Sequence, residues 1–191
     1  TGESATLNHE EHQHIIEVLV DEVDGRVETI AGTGSNSTSE ALNLTKFAED
    51  AGCDAALLIT PYYNKPQQHA LVNHYESIAN SCDIPIIAYN VPSRTGCNIE
   101  VDTTVELAKI DGVDAIKEAS GNLSQVAEIA HWCGDNLSIY SGNDDQVLPV
   151  LSLGGIGVIS VLSNVLPKYT HLMVHNFLNG NINEAMKMQL D

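Results

Sequence analysis

The chain is 191 residues long with 43% hydrophobic and 18% charged residues, enough for a core of ordinary size and without a low-complexity tract. Eight Lys and Arg against 26 Asp and Glu leave a formal net charge of -18, which excludes sequence-blind binding to nucleic acid or to anionic lipid, because that binding needs clustered cations. Anionic partners must then be met by local sites, and the same acidity also fits a surface adapted to high salt; charge bias alone does not choose.

The four cysteines, Cys53, Cys82, Cys97 and Cys133, form neither a CxxC pair nor a dense framework, which fits a reducing, cytoplasmic compartment. No run reaches the roughly 18 apolar residues of a membrane span, so no membrane partner is expected. The opening TGESATLNHEEH is neither a signal nor a transit peptide, and without a starting Met the chain reads as a fragment.

In chain order, apolar residues at helical spacing over 9–24 predict a helix, followed by a β-type run VETIAG at 27–32. The alternation then repeats: helix 39–52, AALLITP at 55–61, helix 68–82, IPIIAYNVP at 84–92, helix 101–110, VDAIKEA at 113–119 and helix 122–133. LSIYSG at 137–142, helix 145–152, GIGVISV at 155–161 and helix 167–178 complete the pattern. Repeated βα units predict a parallel α/β sheet covered on both faces, and no linker divides residues 1–191. Six strands suit a doubly wound sheet or a (β/α)₈ barrel. Reactive residue types gather where several strands finish: Tyr62 and Tyr63, Tyr89 and Asn90, Lys117 and Glu118, Gly142 and Asn143. A barrel brings many strand ends to one mouth, whereas an open sheet focuses a ligand at one switch point, so the barrel is favoured, with its first strands before Thr1.

Of the eight cations, Arg26, Lys46, Lys65, Lys109, Lys168 and Lys187 occupy ordinary surface positions. Lys117 ends an apolar strand, where burial favours the neutral amine that forms Schiff bases with carbonyl compounds; a structural lysine paired with Glu118 or another carboxylate is the competing reading. Arg94, in the loop YNVPSRTG, is either a bidentate carboxylate holder or a surface arginine. Tyr63 and Tyr89 are proton relays to a nearby amine, or packed aromatics with satisfied hydroxyls.

HEEHQH at 9–14 lacks the HExxH zinc spacing and reads as a polar helix face; His171 and His175 read as structural. GTGS at 32–35 and LGGIG at 153–157 match no nucleotide-binding pattern and read as tight turns.

Taken together, TGESATL at 1–7, IAGTGSN at 30–36, TPYYNKP at 60–66, YNVPSRTG at 89–96, IKEASGN at 116–122, SGND at 141–144 and GVISV at 157–161 give the chain a specific resemblance. It resembles the dihydrodipicolinate synthase family of the pyruvate-dependent class I aldolase superfamily, which includes N-acetylneuraminate lyase and uses the (β/α)₈ barrel. The resemblance implies an incomplete barrel, about strands 3 to 8 plus the end of strand 2. It also implies a lyase that condenses pyruvate with L-aspartate 4-semialdehyde in the diaminopimelate route to lysine, with no cofactor and no metal.

On that resemblance Lys117 matches the imine-forming lysine and Tyr89 the proton-shuttling tyrosine, while Tyr63 matches a tyrosine that reaches into a neighbouring subunit. Thr1, Arg94, Gly142 and Ile159 match substrate-binding positions, Thr1 being the second of two adjacent threonines. Ser4, His9, His12, Asn36, Glu40 and Tyr62 match an interface pocket for the inhibitor L-lysine. A homotetramer built as a dimer of dimers is likewise implied. Another aldolase or lyase of the superfamily, and a non-catalytic relative that has kept the barrel, are the alternatives.

Overall fold

In a computed structural model that describes residues 2–191, six short runs pair side by side into one parallel sheet. They are β1 (Ile30–Gly32), β2 (Ala55–Ile59), β3 (Ile86–Asn90), β4 (Val113–Glu118), β5 (Ser138–Ser141) and β6 (Gly157–Val158). Their spatial order is their chain order. A doubly wound sheet reverses direction at a switch point and places its first strand inside; a barrel wall advances by one neighbour each time, which is the winding found here.

The nine α-helices among the described residues are α1 (His9–Val23), α2 (Thr38–Asp50), α3 (Gln68–Ala79), α4 (Pro92–Thr95), α5 (Val101–Leu107), α6 (Leu123–Cys133), α7 (Val147–Ser152), α8 (Pro167–Leu178) and α9 (Ile182–Leu190). Local chemistry sets their ends. Asn8 accepts from the Glu11 amide while the Glu11 carboxylate accepts from the Asn8 amide, a capping box that starts α1. Asn122 caps α6 through the Ser124 and Gln125 amides, and Pro92 and Pro167 stand at the first turns of α4 and α8.

Side chains alternate across each strand, so the sheet has two different faces. Ala31, Ala56, Leu58, Ile86, Ala88, Ile116 and Ile139 point outward into the main core shared with the helices, where Leu71, Tyr75, Ile78, Ile99, Leu107 and Ile129 meet them. Tyr75 is buried and spends its hydroxyl on the Leu58 carbonyl at 2.8 Å. The opposite parity carries Leu57, Ile59, Tyr89, Val91 and Ala119, a separate inner cluster. All five residues of β3 are buried, which is the signature of a strand covered on both faces.

Three expectations need correction. The first strand starts at Ile30 rather than residue 27, because Val27 is exposed and Thr29 turns its amide to the Asp54 carboxylate at 2.7 Å. The last strand is confined to Gly157–Val158, since the chain then turns to meet Asp144. Helices α4 and α9 were not anticipated: α4 is a single turn closed by Gly96 at φ 69°, and α9 packs Ala185 and Met188 against Met173, Val174 and Phe177 of α8.

Candidate active site

Strand pairing brings two of the candidate residues together. Tyr89 on β3 and Lys117 on β4 are register partners of the same inward parity, and the Lys117 Nζ lies 4.2 Å from the Tyr89 ring centroid. Lys117 is 4% exposed, with no ion pair and no hydrogen bond among the described residues. Burial of the amine outweighs the attraction of the Asp144 carboxylate and holds its pKa below the ordinary 10.5. A larger share of neutral, nucleophilic amine follows at neutral pH.

The competing pairing with Glu118 is absent, for a geometric reason. Glu118 is the next residue along β4 and so faces the other way, into the layer between sheet and helices. There its carboxylate accepts from Asn90 Nδ2 at 2.9 Å, Gln125 Nε2 at 3.1 Å and the Ser120 amide at 2.6 Å. Asn98 closes the network by donating to Gln125 Oε1 at 2.9 Å and accepting from Asn90 at 2.9 Å. Three donors replace a cation as the partners of this buried charge.

The wall beside Lys117 is backbone. A Cβ at Gly142 would stand 2.6 Å from Ala119 Cβ and 3.1 Å from Lys117 Cε. The Gly142 amide donates to the Glu118 carbonyl at 2.8 Å, and the Ile159 amide to the Ser141 carbonyl at 2.9 Å. Arg94, on α4, lines the same cavity as Tyr89. Burial pushes the Tyr89 phenol up and the Arg94 charge opposes it, so the hydroxyl stays protonated at neutral pH and can donate. Tyr89 and Arg94 line a cavity of about 510 Å³ with Leu57, Ile59, Ser4 and His12.

Tyr63 is not brought to this group. It is 88% exposed, at φ 71°, in the loop after β2. Thr1 lies outside the described residues. The six residues expected to form a lysine pocket are divided. Ser4 and His12 face the 510 Å³ cavity, His12 bonding the Gly32 carbonyl at 2.9 Å. His9 pairs with Glu40 at 3.3 Å on a different surface, and Asn36 meets Asn64 near Tyr62.

Among the described residues no three His, Cys, Asp or Glu side chains gather as a metal cluster, and no helix is long and apolar enough to cross a membrane. His171 and His175 stack with ring centroids 4.0 Å apart on α8. Lys65 is less ordinary than its loop suggested, since its stem lies across Gly96, the residue closing the Arg94 turn.

The sequence pattern singled out Asn90 only as a strand-end residue and gave no role to Asp144, Asn98 or Gln125. The alternation rule alone would have placed Asn90 and Glu118 on one face, because both are one residue beyond an inward-facing candidate. Asp144 lay within the quoted SGND, where only the glycine was given a role.

Comparison with known proteins matches residues 1–191 to the dihydrodipicolinate synthetase family. The chain is 54% identical over 190 residues to the 4-hydroxy-tetrahydrodipicolinate synthase of Methanosphaera stadtmanae, covering 97% of this chain and 64% of that one. It superposes with TM-score 0.96 and 40% identity on the chloride-inhibited dihydrodipicolinate synthase of Acinetobacter baumannii complexed with pyruvate, covering 98% of this chain and 65% of that chain. The enzyme of Cyanidioschyzon merolae with lysine bound gives TM-score 0.94 at 42% identity, covering 99% and 65%. The chain thus spans a little under two thirds of the length of these relatives.

Proposed function

The chain belongs to the dihydrodipicolinate synthetase family, and from that premise we propose that it is the Schiff-base-forming part of a 4-hydroxy-tetrahydrodipicolinate synthase, a lyase of the class I aldolase type. The observation that carries the proposal is the buried, unpaired Lys117 amine against Tyr89. The neutral Lys117 Nζ attacks the keto carbon of pyruvate, the carbinolamine loses water, and a protonated imine results. Loss of a methyl proton gives an enamine, whose carbon bonds to the aldehyde carbon of L-aspartate 4-semialdehyde while the aldehyde oxygen takes up a proton and the imine re-forms; the amino group of that substrate then adds to the imine carbon, closing a ring and expelling the Lys117 amine. Tyr89, protonated and beside the amine, moves protons in the dehydration.

In this reading Arg94 holds the aldehyde's carboxylate, and Thr1, the Gly142 backbone and Ile159 surround pyruvate. Pyruvate is bound by the Acinetobacter relative, which supports the first substrate. Tyr63, 88% exposed in its own subunit, completes the relay of a neighbour in a dimer-of-dimers tetramer. Residues 1–191 form one partial barrel domain, about strands 3 to 8 with the end of strand 2, working in the cytoplasm without cofactor or metal.

Lysine, bound in the Cyanidioschyzon relative, is the inhibitor for Ser4, His9, His12, Asn36, Glu40 and Tyr62. A single chain divides these residues between two surfaces, so the pocket is shared with a second subunit.

The test is a substrate panel on the full-length gene product. Pyruvate with L-aspartate 4-semialdehyde is consumed, and N-acetylneuraminate is not cleaved. The reverse selectivity would assign the site to a sugar-acid lyase.

A further inference from the structure

The loops after β5 and β6 are joined by a single side chain. Asp144 Oδ2 accepts from the Val161 amide at 3.1 Å and the Leu162 amide at 2.9 Å, and its Oδ1 accepts from the Ser160 hydroxyl. Its main-chain carbonyl accepts from Gln189 Nε2 at 2.9 Å, and Gln189 Oε1 in turn takes the Leu148 amide at 3.0 Å. The two ends of this clamp adjoin Gly142, two residues before Asp144, and Ile159, one residue before Ser160.

Resting on the imine-forming reading of Lys117, we propose that Asp144 is a positioning residue of that site, whose carboxylate fixes the Ser160–Leu162 turn against the Gly142 loop and so sets the wall that holds the keto acid against the amine. Two features separate it from an ordinary turn cap. The clamp joins loops from two different strands at the mouth beside Lys117, whereas a cap serves its own element. Its charge also acts on Lys117, drawing the amine toward its protonated form against the opposing effect of burial. Of the other groups around Lys117, Tyr89 packs against it from β3, Tyr140 is its register partner on β5, Arg94 acts on Tyr89, and Glu118 faces away.

Asp144→Asn separates shape from charge. The amide keeps an oxygen for the Val161 and Leu162 amides and offers an N–H to Ser160, so the turn survives while the anion is lost. Ser160→Ala does the reverse, removing one bond and leaving the charge. On the full-length gene product, pyruvate is trapped on Lys117 with borohydride across a pH series. Asp144→Asn is expected to move the midpoint of trapping to lower pH, because the amine no longer feels the anion. Ser160→Ala is expected to leave the midpoint in place and slow trapping by about three- to tenfold. An Asp144→Asn midpoint equal to wild type, or a Ser160→Ala rate equal to wild type, overturns the proposal while wild-type trapping leaves the imine reading standing. Absence of trapping in folded wild type removes both.

Discussion

Gly142→Ala puts one methyl group where the structure has no room for it. The added Cβ would be 2.6 Å from Ala119 Cβ, about 0.8 Å short of the 3.4 Å at which ordinary contact begins, and 3.1 and 3.2 Å from Lys117 Cε and Cγ. Its backbone cannot withdraw easily, because the Gly142 amide is bonded to the Glu118 carbonyl at 2.8 Å. The strain is steric alone, since Gly142 does not use a left-handed backbone conformation. Overpacking of this kind costs about 1–3 kcal/mol, which for a domain of this size lowers the melting temperature by about 2–12 °C. The chemical effect is larger, because Lys117 is the flexible neighbour and yields first. A displacement near 1 Å at a reacting atom lowers the rate by about 10²-fold. The assay is stopped-time borohydride trapping of pyruvate, read beside a thermal melt. Wild-type trapping with an unchanged melt would refute the claim that Gly142 is needed for close approach to Lys117.

Glu118→Ala strands the Asn90 and Gln125 amides and the Ser120 N–H in a buried layer, and a loss of about 2–5 kcal/mol is expected in urea unfolding, with Glu118→Gln losing less. Tyr75→Phe removes the bond to the Leu58 carbonyl, whose strand nitrogen pairing remains, and costs about 1 kcal/mol by the same measurement. His74 is 4% exposed, has no partner for Nε2, and burial lowers its pKa from 6.5 to about 4. Its folded form binds a proton less readily than its unfolded form, so its contribution is complete above about pH 6.5 and is lost as pH falls toward 4. Between pH 7 and pH 5 that loss is about 2 kcal/mol, and His74→Gln should flatten it; an unchanged slope would contradict the assignment.

Strand and helix order was legible because period-2 and period-3.6 apolar patterns are set by which face each residue buries. Barrel winding was also accessible, since reactive residue types at several successive strand ends favour a fold that gathers those ends at one mouth. The neighbour relation of Tyr89 and Lys117 was half legible. Their positions at strand ends were visible, but the β3–β4 register that places them opposite one another carries a shift between Ile86 and Ile87 that the sequence does not mark. The competing pairing of Lys117 with Glu118 fails for a different reason: the pleat sends adjacent side chains to opposite faces. Asp144 was illegible because its partners, Ser160 to Leu162, lie on a loop after the next strand.

Everything proposed for this site depends on the Lys117 amine forming an imine with pyruvate. Incubation of the full-length gene product with pyruvate, reduction with borohydride and peptide mass spectrometry test it directly. A reduced pyruvate adduct is expected on the peptide containing Lys117, absent in Lys117→Ala and absent without pyruvate. Folded protein that carries no adduct, or carries it on another lysine, would contradict it.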